Sequence, residues 1–357
     1  MKKMRIKEMA EKLNISARAI RFYEEKSLLT PLKDPQNQYR LFTEMDARRL
    51  QAILSLREVG MSIEEIRTLL EEIDRGEDDE LLYSLELQRS MMFSQMVELK
   101  QHIDTTDRMI EHLKAQRSLD WEHIFELANG VKRLRDVRAN WRDQWDFDRQ
   151  AAIHDELVFN HSEGFNKHPS YEQALRMVVE WVKPHERERG LDIGTGTGNL
   201  AGSFLAAGID MAGIDQSKEM LKHCQQKFPH LETKLGNFLA IPYLDHSFDF
   251  VVTSYALHHL TDEQKLFALV EMKRVLKPHG RICIVDLMFE NEKKRIEHLD
   301  KLRGEGHEEV IAEIEDEYFA DRSILLNWFE QNGYLTKMQQ LSELLHILYA
   351  VPIRPGY

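Results

Sequence analysis

Residues 191–200 read LDIGTGTGNL, with glycine at every second position directly after a short apolar run. Glycine takes left-handed backbone conformations without steric cost and puts no side chain between a ligand and the main chain. Gly194, Gly196 and Gly198 therefore predict a ligand lying against bare backbone between a strand and a helix. The flanking segments set the fold. ERGLDI, DMAGID, TKLG, FDFVVTS and RICIVDL are short apolar runs, and NLAGSFLAAG, KEMLKHCQQKF and EQKLFALVEMKRVL between them have helical spacing. This alternation predicts a doubly wound parallel sheet, with ligands beyond the carboxyl ends of its strands. LSELLHILYAVPI is expected to finish that sheet as an edge strand.

Asp215 ends the second strand, 21 residues after Gly194, where a carboxylate can take both hydroxyls of a ribose. A dinucleotide fingerprint, G-x-G-x-x-G, wants glycine where Asn199 stands. The spacing here is G-x-G-x-G, preceded by Asp192. An acidic residue at the loop suits a ligand with an amino group and no pyrophosphate. S-adenosylmethionine (SAM) fits that description; NAD fits it less well.

Charge divides the chain. At 357 residues it exceeds one ordinary domain. The net charge is −13, yet residues 1–57 hold 13 Lys/Arg against 7 Asp/Glu, a surplus of +6 that leaves −19 on the rest. A basic first segment on an acidic body points to one local anionic partner. The longest apolar runs fall far short of a membrane span, and MKKMRIKEMAEKL lacks the apolar stretch of a secretion signal. No membrane association and a cytoplasmic location are expected. Cys224 and Cys283 can build neither a disulfide framework nor a thiolate zinc site, and no metal is expected.

In the basic segment, Ile6, Met9, Ala10 and Leu13 recur at helical spacing and predict a helix over 5–13. Ser16 offers an N-cap oxygen to a second helix, ARAIRFYEE, with Ile20 inward and Arg18 and Arg21 on an outer face. Two short helices, a tight turn and outward arginines predict a helix-turn-helix. PLKDPQNQYRLF suits a β-hairpin wing that presents Tyr39 and Arg40 to phosphates. Thr43 begins a third helix, and Ser62 with Glu65 makes a capping box on a fourth.

From Leu82 a seven-residue repeat follows. One row is Leu82, Arg89, Met96, Ile103 and Ile110; the other is Leu85, Met92, Leu99, Thr106 and Leu113. Eight of the ten positions are apolar, which predicts a coiled-coil helix. The alternative is an amphipathic helix packed on its own chain. Residues 118–146 continue the helical pattern through Trp121, Phe125, Ala128, Val131, Trp141 and Trp145, with Asn129-Gly130 either ending one helix or hinging it.

The run IKEMAEKLNISARAIRFYEEKSLLTPLKD, with QYRLF and LREVGMSIEEI, resembles the MerR family of bacterial transcription regulators over about residues 4–75. The resemblance implies a winged-helix dimer on promoter DNA, acting with RNA polymerase. It places Arg18, Arg21 and Tyr23 on the recognition helix and Tyr39 and Arg40 on the wing. The heptad helix would pair antiparallel across the two-fold axis.

LDIGTGTGNLA, GIDQSKEM, GNFLAIPYLDHSFDFVVTSYALHHL and RVLKPHGRICIVD, in that order, resemble class I SAM-dependent methyltransferases of the ubiquinone/menaquinone methyltransferase-like group, over about residues 145–350. By that resemblance Asp192, Gly194, Gly196 and Gly198 hold the methionine end of SAM and Asp215 the ribose. Gln216 and Met220 lie near the adenine, and Ser254 belongs to the same cofactor site. Asn237-Phe238 stands where an Asp-hydrophobe pair usually reads adenine. A carboxamide keeps an acceptor but lacks full charge, so weaker binding is expected.

FDRQAAIHD at 147–155 resembles the cap of the cofactor pocket, with His154 where tyrosine is frequent. Tyr255, His258 and His259 follow the fourth strand as candidate catalytic residues, since a histidine there can act as base. Alternatively, one histidine packs and the other caps the turn at Thr261. NEKKRIEHLDKLRGEGHEEVIAEIEDEYFADR reads as a charged helical insertion, either a lid or a solvated face.

The chain is thus expected to be multidomain: an all-α-rich winged helix-turn-helix over 1–75, a coiled-coil dimerisation helix over 76–117, a helical connector over 118–145, and an α/β Rossmann-like SAM methyltransferase domain over 146–357. The leading reading is a homodimeric, DNA-binding regulator whose second domain methylates a small molecule. The alternatives are a catalytically silent sensor of SAM or S-adenosylhomocysteine, and an enzyme dimerised by its first module.

Overall fold

The computed structural model describes residues 3–34, 37–76, 78–116, 145–159 and 170–353, with 125, 132, 136, 137 and 168. The chain divides into two compact units, Met1–Gln88 and Arg89–Tyr357.

The first unit comprises β1 (Met4–Arg5), α1 (Ile6–Leu13), α2 (Ala17–Glu25), β2 (Leu32–Lys33), β3 (Arg40–Phe42), α3 (Glu44–Glu58) and α4 (Ile63–Arg75). Asn14 at φ +51 turns the chain out of α1, and the Ser16 hydroxyl oxygen caps α2 by accepting the Ala19 amide at 3.1 Å. Reciprocal capping boxes, Thr43 with Asp46 and Ser62 with Glu65, start α3 and α4. Each cap is worth about 1 kcal/mol. Met9, Ile20, Phe42, Leu50, Ile53 and Ile66 form the core. The wing is there, β2 antiparallel to β3. It also gains a third strand, because β1 pairs with β3, Met4 opposite Phe42. Two residues show no periodicity, so the sequence reading began its helix at residue 5.

A single helix, α5 (Asp78–Gln116), runs 39 residues, and the division between units falls inside it. Seven heptad positions, Leu82, Leu85, Met92, Leu99, Ile103, Ile110 and Leu113, are exposed. In the single chain this stripe is open, while Val97 and Thr105 on another face of the helix are buried. The readings at Trp121, Ala128, Val131, Trp141 and Asn129-Gly130 lie outside the described residues.

In the second unit α6 (Phe147–Gln150), α7 (His154–Phe159) and α8 (Tyr171–Val182) precede β4 (Arg189–Ile193). Then come α9 (Asn199–Ala206), β5 (Asp210–Asp215), α10 (Lys218–Lys227), β6 (Glu232–Leu235), β7 (Phe248–Ser254), a 3₁₀ turn at Leu257–His259, α11 (Asp262–Val275) and β8 (Leu276–Phe289). The chain finishes with α12 (Glu292–Glu305), α13 (Glu308–Asp316), β9 (Ala320–Asp321), α14 (Arg322–Gln331), β10 (Tyr334–Gln340) and β11 (Leu345–Pro352). The sheet order is β10-β11-β8-β7-β4-β5-β6, with β9 paired to β8. Strands β4 to β8 pair in parallel, as expected.

One expectation is corrected. The C-terminal strand β11 is not an edge: it lies antiparallel between β8 and β10. The edge is β10, which is exposed from its second residue onward and so carries no apolar alternation to read. Phe204, Phe250 and Leu287 pack on one face of the sheet, and Ile193, Met272 and Phe329 on the other. From β4 the chain steps outward to β5 and β6, then returns to β7 on the opposite side. That reversal opens a crevice at the carboxyl ends of β4 and β7. Among the described residues no helix is long and apolar enough to cross a membrane.

Candidate active site

A cleft enclosing about 1180 Å³, its open mouth included, lies beyond the ends of β4, β5, β6 and β7. Gly194 and Gly196, at φ +70 and +54, form one wall. A Cβ on Gly194 would stand 2.5 Å from that of Ala256, so both conformation and space require glycine.

Two expected cofactor residues are not on the wall. Gly198, at φ +85, turns the loop into α9 and packs against Cys224. Asp192 is buried behind the loop, where its Oδ2 accepts the Thr195 hydroxyl at 2.8 Å and the Ala201 amide at 3.2 Å. Burial, with some help from Asp215, lifts its carboxyl to about 7 against the pull of Thr195 and Ala201. Both residues shape the turn from behind.

Asp215 is on the wall. Its Oδ2 accepts the Gly196 amide at 2.9 Å and its Oδ1 the Ser217 amide at 2.9 Å. Gln216, Met220, Asn237, Phe238 and Ser254 line the cleft beside it. The Asn237 carboxamide oxygen accepts the Leu239 amide at 2.9 Å, so the loop after β6 already holds it. Gln150, His154 and Leu157 of the cap also line the cleft. Asp155 anchors that cap by accepting the Thr197 hydroxyl at 2.6 Å and the Asn199 carboxamide at 3.0 Å. Asn199, the residue that breaks the dinucleotide fingerprint, thus ties the loop to α7.

At the other end stand Tyr255, His258, His259, Trp145, Phe147, His168 and Glu317. Tyr255 takes φ +49, a conformation that disfavours side chains and points to a functional constraint after β7. His258 Nδ1 is 2.5 Å from Asp286 Oδ1. Asp286 Oδ2 accepts the amides of Ala256, Leu257 and His258 at 3.2, 2.6 and 3.2 Å. Burial works to raise the Asp286 carboxyl, but His258 and the Leu287 amide more than offset it and hold it below the usual carboxylate range. Burial, then His258, pulls the His259 imidazole down to about 4; its ring packs 4.4 Å from Trp145 and 4.9 Å from Phe147.

Neither histidine caps the turn at Thr261, because Thr261 and Gln264 form their own capping box. The sequence reading missed Asp286 and Glu317. Asp286 left a signal, a carboxylate inside the apolar run RICIVDL. Glu317 left none, being one acid among many in the insertion.

On the first unit Arg18 and Arg21 are exposed on α2, and Tyr39 and Arg40 on the wing. Arg40 Nε donates to the Glu24 carboxylate at 2.6 and 2.7 Å. Tyr23, expected among the DNA-binding residues of the recognition helix, does lie on α2 but is only 8% exposed and belongs to the core. It lies three residues from Ile20, on the inward stripe of α2.

An open α/β sheet with a glycine turn and a strand-end carboxylate at its crevice defines a Rossmann-like nucleoside-binding domain. Residues 191–284 match the family described as a methyltransferase domain, and residues 4–73 the MerR HTH family of regulatory proteins. An uncharacterised methyltransferase of Alkaliphilus oremlandii is 32% identical over 205 residues, 57% of this chain and 94% of that protein. One of Bacillus pumilus is 32% identical over 207 residues, with the same coverage. Among solved structures, magnesium protoporphyrin IX methyltransferase of Synechocystis PCC 6803 is 18% identical with a TM-score of 0.44, covering 57% of this chain and 94% of that one. The chain belongs to this methyltransferase family and carries a MerR-type helix-turn-helix domain at its N-terminus.

Proposed function

We propose that the protein is a MerR-type transcriptional regulator, acting in the cytoplasm as a homodimer on promoter DNA with RNA polymerase, whose second domain methylates a small molecule from SAM. The observation that carries the enzymatic half is the pairing within one cleft of the Gly194–Gly196 turn, held by Asp215, with the ionisable groups after β7. The donor supplies a methyl group on a sulfonium. The chain's own residues hold and orient: Asp215 takes the ribose hydroxyls, Met220 and Phe238 flank the base, and the bared backbone of 194–196 admits the amino-acid end. Methyl transfer depends chiefly on positioning the acceptor atom in line with the methyl carbon. Trp145, Phe147 and Tyr255 supply an apolar wall on the acceptor side, around His258 and His259. Arg18, Arg21, Tyr39 and Arg40 face the DNA.

Incubation of the purified protein with methyl-labelled SAM and panels of amines, phenols and thiols tests this. Release of S-adenosylhomocysteine with transfer of label is the expected result. No turnover, together with operator affinity that depends on SAM, would replace the enzyme with a sensor.

A further inference from the structure

His258, His259 and Glu317 bring three potential ligand atoms within 4.8 Å of one another on the acceptor side of the cleft. Glu317 Oε2 lies 3.8 Å from His258 Nε2 and 3.0 Å from His259 Nδ1. Ligands about 2.0–2.1 Å from a tetrahedral zinc-type ion stand about 3.3 Å from each other, and about 2.9 Å around an octahedral one. The two observed separations lie on either side of the tetrahedral value, and the shorter lies just above the octahedral one.

Three further features agree. A hydrogen on His258 Nδ1, where the Asp286 carboxylate accepts it, leaves the lone pair on Nε2, 3.8 Å from Glu317 Oε2. A carboxylate behind a histidine is the arrangement that orients metal-bound imidazoles. His259 Nδ1 is buried and, among the described residues, makes no hydrogen bond of acceptable geometry, although Glu317 is close. Both atoms border the same space as His258 Nε2. The third feature is charge. Two buried carboxylates, Asp286 and Glu317, sit with two imidazoles, while the neighbouring Lys265 ammonium is engaged by the carbonyls of Leu260 and Tyr318 and by Asp262. A divalent cation is the charge that such a pair of carboxylates attracts.

We propose that His258 Nε2, His259 Nδ1 and the Glu317 carboxylate bind one divalent transition-metal ion with an open position toward the cleft, where the oxygen or sulfur of the methyl acceptor ligates. This rests on the reading that the acceptor occupies this cleft. Two histidines and one carboxylate with an open position are a set that zinc and non-haem iron both use catalytically. The ligated hydroxyl or thiol gives its proton to water; the resulting anion bonds to the methyl carbon as the carbon–sulfur bond breaks and its electron pair stays on the donor's sulfur. The absence of cysteine pairs, which argued against metal in the sequence, has no bearing on a His-His-Glu set.

The test uses the full-length protein, stripped with a chelator and titrated by calorimetry with Zn²⁺, Mn²⁺ and Co²⁺ in turn, with visible absorption of the Co²⁺ form. Expected are one ion per chain and Co²⁺ bands showing nitrogen ligation. Glu317→Gln and His259→Gln should each weaken binding by about 100-fold, and Asp286→Asn by about 10–100-fold. SAM affinity, read on the same samples, should stay within about threefold of the parent and reports an intact fold. No binding of any of the three ions, or binding that Glu317→Gln and His259→Gln both leave unchanged, overturns the proposal. If SAM binds and metal does not, only the metal site falls. If SAM fails to bind the unmodified protein, the methyltransferase reading falls first.

Discussion

The Asp215 carboxylate and the Gly196 amide lie 2.9 Å apart, which ties the end of β5 to the glycine turn after β4. With its second oxygen on the Ser217 amide, the carboxylate is fixed before any ligand arrives. A preset acceptor loses little side-chain entropy on binding. The same contact holds Gly196 at the positive φ that bares its backbone.

Gly194→Ala should close the cofactor end. The new methyl meets Ala256 at 2.5 Å and the backbone stays at φ +70, for a loss of about 2 kcal/mol or more in stability. Gly208, at φ +78 with open space around it, is the control: Gly208→Ala should cost about 1 kcal/mol from backbone strain alone and leave SAM affinity unchanged. Thermal unfolding and SAM titration of both variants check this. Equal effects at the two positions would remove the steric role of Gly194.

Burial raises the Asp192 carboxyl from 3.8 to about 7 in the folded chain. The folded state therefore holds this proton more tightly than the unfolded state. Its contribution is full below about pH 4 and is lost as pH rises through about 7, at no more than about 1.4 kcal/mol per pH unit. Asp192→Asn cannot ionise. Its unfolding free energy relative to the parent should therefore rise between pH 4 and 7 and level off above 8. A difference that is flat from pH 4 to 8 would contradict the burial assigned to this group.

On the first unit, Arg18→Ala should weaken binding to all duplexes alike and reduce the slope of log affinity against log salt by about one. Glu24→Gln should act the other way, since it releases Arg40 from its ion pair at the wing. Fluorescence anisotropy over a salt series reads both. A loss confined to one base pair of a site would assign Arg18 to base recognition instead.

Leu99 and Ile103 are 59% and 52% exposed on α5, within a stripe of heptad positions that the single chain leaves open. If a second copy covers it, Leu99→Glu with Ile103→Glu should convert a sedimenting dimer into a monomer. A parent protein that already sediments as a monomer would end the two-fold reading.

The fold was legible where local chemistry dictates local structure. Gly194, Gly196 and Gly198 announced a positive-φ turn, Ser16, Thr43 and Ser62 announced helix starts, and Asp215 stood where a strand-end acid belongs. What escaped depends on distant parts of the chain meeting. Asp286 and Glu317 lie 28 and 58 residues beyond the histidines they face, and no local pattern encodes that. The order of β10 and β11 is set by which strand reaches β8, not by either strand's own sequence. Asp192 shows a third limit: its position in the motif was visible, but not that its side chain turns away from the cleft to brace α9.

The most direct test of the cofactor cleft is calorimetric titration of SAM and of S-adenosylhomocysteine into the full-length protein and its Asp215→Ala variant. One site per chain is expected in the parent, with affinity lowered in the variant by about 10- to 100-fold, the size of a lost charge-assisted hydrogen bond. No heat with either nucleoside in the parent protein, or equal affinity in the variant, would contradict the assignment of this cleft.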